Sequence, residues 1–417
     1  MRYGAAASIK LMNSVYGYEG NCRQFAERGT CQYACVTGDA SACGAEVMPM
    51  NAFHFIGLAE ADMGSGRRRP DAARPATHST ACDLEERHMR SAILEVAGGP
   101  EVMTLVEEAR PIPARGEVLI RTHAMAVSGP DALIRRGVYK WGPPLPANPG
   151  NEMTGVIVEL GSDVTTVSVG DPVLLSSREL SVRGGCYSEF RAVPAAAVHV
   201  LPPSVDLKQA VVLPSYFVAH AMLSLTVTAR TRSIFVNGAA GTIGAALVEL
   251  AKARGLQVIG TVSSDDKAAY ALSKGLDRVI NYREERVLDR VMEFTGNSGV
   301  DVAFDHIIGD GFIDVLKMLA DFGTAVAFNS FTPVPKEDVF HTMRELSTKS
   351  IALRVFSSHT FDHDLTVLRG LTAELIAMLA AGTIKPTIGI ELPLEDVVYA
   401  HRRFDAGDVI GKIVMTP

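Results

Sequence analysis

The sequence lacks a basic surplus. Its 417 residues carry 40 Lys and Arg against 47 Asp and Glu, a formal net charge of −7. Capture of nucleic acid shows in a sequence as an excess of positive charge, so that class of partner is disfavoured. A membrane-length apolar run is missing too. The longest, 210–227, contains Pro214 and His220 and falls short of the ~20 predominantly apolar residues of a spanning helix. We read it as a buried helix and expect no membrane partner. No apolar segment behind a basic start opens the chain, so no secretory leader is evident. Cysteine is nearly absent from the last four fifths: Cys22, Cys31, Cys35, Cys43 and Cys82 come early, and only Cys186 follows. These absences point to a cytoplasmic protein with reduced thiols.

What is present is the material of a real core, with 47% hydrophobic and 21% charged residues. It is unevenly spread. Residues 1–88 show no sustained apolar periodicity, and 64–80, with Arg67, Arg68, Arg69 and Pro70, has the composition of a disordered linker. We expect 1–88 to be a disordered extension. Cys31 and Cys35 lie four apart, but Cys22 and Cys43 form no second close pair, so free thiols are the better reading than a structural metal. From 89 to about 203, short alternating strands are punctuated by Gly and Pro, as in a small barrel. Beyond about 213, strand and helix alternate five times, the signature of a parallel doubly wound sheet. The expected fold is therefore α/β, a Rossmann sheet beside a smaller β-rich domain.

The sharpest motif is Asn237-Gly238-Ala-Ala240-Gly241-Thr242-Ile243-Gly244, which follows a predicted strand (233–237) and opens a predicted helix. Gly238 suits the tight turn, Gly241 the close approach of a diphosphate, and Gly244 the packing of helix on strand; the phosphates would sit on free helix N–H groups. A site for NAD places Asp or Glu at the tip of the second strand, about 20 residues on, to hold the ribose hydroxyls. Here that tip reads Gly260-Thr-Val-Ser263-Ser264. Small hydroxyls leave room for a 2′-phosphate, and Lys267, one turn later, supplies charge for it. Tyr282 and Arg283 close the other side. NADPH is therefore expected over NADH. Asn329 and Ser330, at the end of the last predicted Rossmann strand, are candidates for contact with the nicotinamide carboxamide or ribose.

With these motifs in hand, 89–417 resembles a zinc-independent quinone oxidoreductase of the medium-chain dehydrogenase/reductase superfamily. The resemblance rests on Gly98-Gly-Pro-Glu-Val, Gly116-Glu-Val-Leu-Ile-Arg, Asp131 with Arg135 and Gly137, Pro149-Gly, Val169-Gly-Asp, the glycine loop, Val279-Ile-Asn-Tyr-Arg-Glu, Gly299-Val-Asp-Val and Gly411-Lys-Ile-Val. It implies a GroES-like catalytic domain split between 89–212 and 350–417, a Rossmann domain over 213–349 between them, a homodimer or homotetramer (we take the homodimer), and a 2′-phosphate held by Lys267 and Tyr282. Zinc-containing relatives place Cys and His where this chain has Ser128 and Asn151. Oxygens of Ser and Asn are poor substitutes for thiolate and imidazole, so no metal is expected.

Without a metal, hydride would pass from NADPH to an electron-poor acceptor, a quinone or an enone. The family's quinone reductases place an Asn and two Tyr near the nicotinamide. Here these positions are Ser128, Leu133 and Tyr139, so Ser128 and Tyr139 are the candidate donors to a substrate carbonyl. Trp141 would form a wall. Asp131 reads as structural rather than as a base, Cys186 as a buried small residue and His220 as a satisfied core histidine. Quinone reduction leads; reduction of an enone or 2-enoyl thioester is the alternative that Leu133 favours. A non-catalytic NADPH-binding protein is the third reading.

Overall fold

A glycine-rich turn can present helix amides to a ligand only if a sheet and its covering helices hold it still. The computed structural model describes residues 88–328 and 334–417. The early cysteines and the expected disordered extension, apart from His88, lie outside the described residues, as do Asn329 and Ser330. The first strands, β1 (His88–Leu94) and β2 (Met103–Ala109), pair as an antiparallel ribbon. Then come β3 (Glu117–Ala126), α1 (Gly129–Arg135), β4 (Glu152–Leu160), β5 (Pro172–Ser176), β6 (Phe190–Pro194), β7 (Val198–Val200), α2 (Leu207–Ala210) and α3 (Leu213–Thr226). No helix among the described residues is long and apolar enough to cross a membrane. Within the apolar run of 210–227, α3 is a helix of 14 residues with most of its side chains buried.

The chain then alternates: β8 (Ser233–Val236), α4 (Thr242–Lys252), β9 (Gln257–Val262), α5 (Asp265–Ser273), β10 (Arg278–Asn281), α6 (Val287–Phe294), β11 (Val300–Asp305), α7 (Phe312–Lys317), β12 (Leu319–Phe328), α8 (Val339–Glu345), β13 (Ala352–Phe356) and α9 (Leu365–Ala380). The six strands form one parallel sheet in the order β10-β9-β8-β11-β12-β13, the doubly wound Rossmann arrangement. Successive side chains on these strands serve opposite faces. Ile234, Val236, Val302, Phe304 and Val326 join the core beneath α3, α4 and α9, whereas Phe235, Ala303 and Ala325 join the core beneath α6 and α7.

The last segment, β14 (Ile388–Pro393), α10 (Val397–Ala406) and β15 (Lys412–Thr416), returns to the barrel. Its sheet runs β14-β15-β3-β4-β5-β7, with β6 also paired to β3. Strand β3 serves both cores: Val118, Ile120 and Met125 fill the barrel, while Ala124 and Ala126 meet the core around α3.

One boundary moves. The expected end of the Rossmann segment at 349 cuts off β13, which pairs in parallel with β12 from Thr324↔Ala352 to Phe328↔Phe356. Helix α9 follows it, and Leu368, Leu375, Ile376 and Leu379 lie in the core around α3 and α4. The physical reason is that β13 is an edge strand. Ala352, Arg354 and Val355 are exposed, and the run Ile351-Ala-Leu-Arg-Val-Phe356 reads as a strand without saying which sheet it joins; its pairing with β12 decides that.

Gly244 is where helix and turn meet most tightly. A Cβ there would stand 2.2 Å from the Gly238 carbonyl oxygen and 3.0 Å from Ala239 Cα. Backbone is on both sides, so neither neighbour can swing away. Gly244→Ala is expected to destabilise the fold by about 1–3 kcal/mol, read as a lower urea midpoint with unchanged m-value, and to weaken any ligand of the turn.

Candidate active site

The turn is braced from three strands. Asn237 donates its amide to Asp305 Oδ1 (2.9 Å) and accepts from the Thr261 hydroxyl (2.6 Å), which itself accepts from Gly238 N–H (2.8 Å). Gly238 has φ +76°, and a Cβ would meet His306 at 2.6 Å. Gly241 is different. Its φ is −72°, and the nearest protein atom to a Cβ would be the Gly238 oxygen at 3.4 Å. The protein itself therefore gives no steric reason for glycine at 241, and the position lines open space. Helix α4 begins here without a side-chain cap, and Ala245 N–H is bonded to Gly241 O at 2.8 Å. The preceding helical amides face the space that Gly241 leaves, which is the geometry of an anion site.

Two cavities meet at this turn. The first, about 310 Å³, runs past Gly238, Ala240, Gly241 and Thr242 to Ser263, Lys267 and Tyr282. No carboxylate stands at the tip of β9, where Val262 is followed by Ser263 and Ser264. Lys267 Nζ lies 3.5 Å from the Gly407 carbonyl, and Arg403 of α10 lines the same cavity. Ser264 is placed otherwise: its hydroxyl caps α5 by accepting from Lys267 N–H. His306 lies at the junction of both cavities, donating Nδ1–H to the Asn237 carbonyl at 3.1 Å. Burial holds its pKa below the ordinary histidine value, which keeps the ring neutral and leaves Nε2 an acceptor.

The second cavity, about 680 Å³, is bordered by Ser128, Leu133, Tyr139, Trp141, Ile243 and Gly244 together with Arg178, Arg183 and His359. Ser128 caps α1, and its backbone N–H and hydroxyl both donate to Asp131 Oδ2 at 2.7 Å. With its hydrogen so engaged, Ser128 can accept from a ligand but not donate to one. This corrects the expectation of two donors and leaves Tyr139 as the phenolic one. Asp131 also accepts from Asn151 Nδ2 (2.5 Å) and Tyr187 OH (3.1 Å). Burial pushes its pKa up, and the Ser128 and Asn151 donors pull it back. With four donors on it, the carboxylate is a structural hub, as expected, and has no role left as a base.

Behind the hub runs a directed chain. Arg135 donates to His401 Nδ1 (3.0 Å), His401 Nε2–H to Tyr187 OH (3.2 Å), and Tyr187 to Asp131. Burial, with the adjacent Arg135, brings His401 down to about 3, so the imidazole is neutral and its tautomer follows from the Arg135 bond. Gly150 makes room for this chain: at φ +86°, a Cβ would stand 2.4 Å from the Tyr187 ring.

Of the other expected residues, Cys186 is buried with its thiol pushed up to about 12 by burial. His220 is held by Glu374 (2.7 Å) and Arg254 (2.9 Å) in a satisfied pair of contacts. Sequence reasoning missed His306, Arg403, Arg178, Arg183 and His359. His306 had a signal, since it follows β11 at the carboxyl end of the sheet, where doubly wound folds bind ligands. Arg403 had none, because it reaches the cavity from α10.

Comparison with known proteins matches this geometry. A model of the alcohol dehydrogenase GroES-like domain covers 114–203, and one described as zinc-binding dehydrogenase covers 242–369. The chain is 30% identical over 336 residues to a quinone oxidoreductase of Mus musculus, covering 79% of this chain and 98% of that one. It is 31% identical over 325 residues to a quinone oxidoreductase of Salmonella typhimurium, covering 77% and 97%. A crystal structure of Escherichia coli quinone oxidoreductase complexed with NADPH superposes with a TM-score of 0.69 at 29% identity, covering 79% of this chain and all of that one. The chain is thus an oxidoreductase that belongs to the quinone oxidoreductase family of the medium-chain dehydrogenase/reductase superfamily.

Proposed function

We propose that the protein is an NADPH-dependent, zinc-independent reductase that passes hydride to a quinone. One observation carries the reading: the carboxylate-free tip of β9 shares a cavity with Lys267, Tyr282 and Arg403, and that cavity joins the larger one at the glycine turn. The α4 amides and Gly241 would hold the diphosphate, and Ser263, Lys267, Tyr282 and Arg403 the 2′-phosphate. Asn329, outside the described residues, stays a proposed contact. The bound dinucleotide supplies the hydride. Zinc independence is supported by donor chemistry, because the Ser128 hydroxyl and Asn151 amide are engaged by Asp131 and neither offers thiolate or imidazole.

In the larger cavity Tyr139 would donate to the acceptor's carbonyl, and Trp141 and Leu133 would bound it. Burial holds the Tyr139 hydroxyl above the ordinary tyrosine pKa, so it is protonated and able to donate at neutral pH. Leu133 and the size of the cavity favour a second reading, an enone or 2-enoyl thioester as acceptor. We also propose a cytoplasmic homodimer; the exposed edge of β13, with Val355 72% exposed, offers it a surface.

Lys267→Ala is expected to weaken NADPH by about 10–100-fold, the worth of a charged hydrogen bond, and NADH hardly at all, in calorimetric titrations; equal losses would remove Lys267 from the phosphate contact. Arg403→Ala should behave likewise. NADPH absorbance followed with quinones, enones and enoyl thioesters separates the readings: oxidation by quinones alone supports the first, by enones or thioesters alone the second, and tight binding without turnover excludes both. Tyr139→Phe should lower kcat about 100-fold while leaving dinucleotide affinity intact.

A further inference from the structure

The larger cavity is bordered by an ion-pair cluster next to Tyr139. It sits on the 3-10 turn Ser358–His363 that follows β13. His359 Nδ1 lies 2.9 Å from Asp362 Oδ2, and His359 Nε2 lies 3.4 Å from the Tyr139 hydroxyl. The imidazole stacks on the Trp141 indole, with ring centroids 3.5 Å apart and planes 16° apart. Arg183 donates to Asp362 Oδ2 at 2.6 Å, and Arg178 Nε stands 3.6 Å from Asp362 Oδ1. Arg178 also ties down the start of the turn, donating to the Ser358 carbonyl (2.9 Å) and hydroxyl (2.6 Å).

We propose that His359, paired with Asp362, is the proton relay that recharges Tyr139 during reduction of a conjugated carbonyl acceptor. This rests on the reading of the protein as a reductase. The carbonyl oxygen of an acceptor that has gained hydride needs one proton. Tyr139 supplies it: its O–H bond breaks and an O–H bond forms on the substrate. As that proton leaves, the Nε2–H of the His359 imidazolium passes to the Tyr139 oxygen, and His359 becomes neutral. Water at the cavity mouth restores it, since the His359 side chain is 19% exposed. Over a turnover the reduced dinucleotide provides two electrons and one hydrogen, and solvent provides the other.

The geometry serves both states of the relay. Asp362 can only accept, so Nδ1 carries hydrogen in each. A protonated Nε2 then donates to Tyr139, and once its proton has passed on it accepts from the Tyr139 hydroxyl. Burial pushes Asp362 up, but the His359 bond and the two arginines outweigh it and hold the carboxyl below its ordinary range, so the counter-ion is present. The indole face favours a cation stacked on it. The charges facing His359 are Asp362 on its own turn, Arg178 and Arg183 from the segment after β5, and Lys140, 5.4 Å over the Trp141 ring. Asp362 thus faces the ring with a negative charge and the three cations face it with positive ones.

Two measurements on the full chain test this. Proton-detected NMR of the histidine-labelled protein, without dinucleotide, reads the His359 Nδ1–H that Asp362 accepts; Asp362→Asn should shift that resonance and speed its exchange with water. In turnover, His359→Gln keeps a hydrogen-bonding side chain without a transferable proton. It should lower kcat about 100-fold and leave KM for the dinucleotide unchanged. A His359 Nδ1–H unchanged in Asp362→Asn would overturn the proposal, as would a His359→Gln variant that keeps wild-type kcat. Failure of the unmodified chain to bind either nicotinamide dinucleotide would instead overturn the reductase reading, and the NMR measurement would still decide the pair.

Discussion

The contact of Gly244 with the Gly238 carbonyl fixes where helix α4 begins. A Cβ at 244 would stand 2.2 Å from that oxygen, so only glycine lets the helix start directly over the end of β8, with its first amides directed into the cleft. Asn237, Thr261 and Asp305, from three adjacent strands, hold the turn from beneath. A small displacement would swing those amides away from any diphosphate, because the field of a helix terminus falls off within one turn. The two cavities join at this point, so the adenosine end, the junction at His306 and the acceptor pocket all take their positions from it.

Across the cleft, the barrel is organised by a buried carboxylate. Asp131 accepts from Ser128, Asn151 and Tyr187, which come from three separated stretches of chain, and the Arg135–His401–Tyr187 chain brings in α10 as a fourth. Each of these donors is directed toward Asp131, so the network has one consistent sense of polarity. Breaking it would leave a buried charge uncompensated, which is costly in a low-dielectric interior. The same network binds α10 to the barrel, and α10 carries Arg403 to the first cavity.

Much of this was readable because the governing chemistry is local. Gly238, Gly241 and Gly244 lie within eight residues of one another between a short apolar strand and an amphipathic helix, and the missing acid after β9 is visible at Ser263 and Ser264. Lys267, in the first turn of α5, and Tyr282, directly after β10, follow two strand tips that a doubly wound sheet brings to one edge. Strand β13 was read as part of the barrel return, because no local pattern says which sheet an edge strand joins. His359, on the turn after this sixth Rossmann strand, borders the larger cavity. Ser128 was misjudged for a different reason. Ser128-Gly-Pro-Asp131 is a serine followed by an acid three residues on, the spacing of a capping box, and that signal already assigned the hydroxyl to α1. Arg403 and Arg183 depend on long-range packing that no local pattern encodes.

The absence of thiolate and imidazole at 128 and 151 changes what the acceptor pocket must do. A zinc ion would polarise a substrate carbonyl by its own charge and needs no proton at that moment. Where only a hydroxyl engaged by Asp131 and an amide shared between Asp131 and Ser177 stand, the developing negative charge on oxygen would have to be met by a donor. Tyr139 is the protonated phenol at the cavity, and one phenolic hydrogen serves one turnover unless it is replaced. A tyrosine left alone in a half-buried site would have to exchange with water past the substrate. His359 removes that need because it touches Tyr139 on one side and solvent on the other. Asp362 and Trp141 keep the imidazole in plane, and Arg178 anchors the turn from which it projects. In the proposed reaction, the wall of Ser128 and Asn151 and the relay of His359 and Tyr139 are two parts of one arrangement, in which a proton would take the place that a metal charge fills in a zinc site.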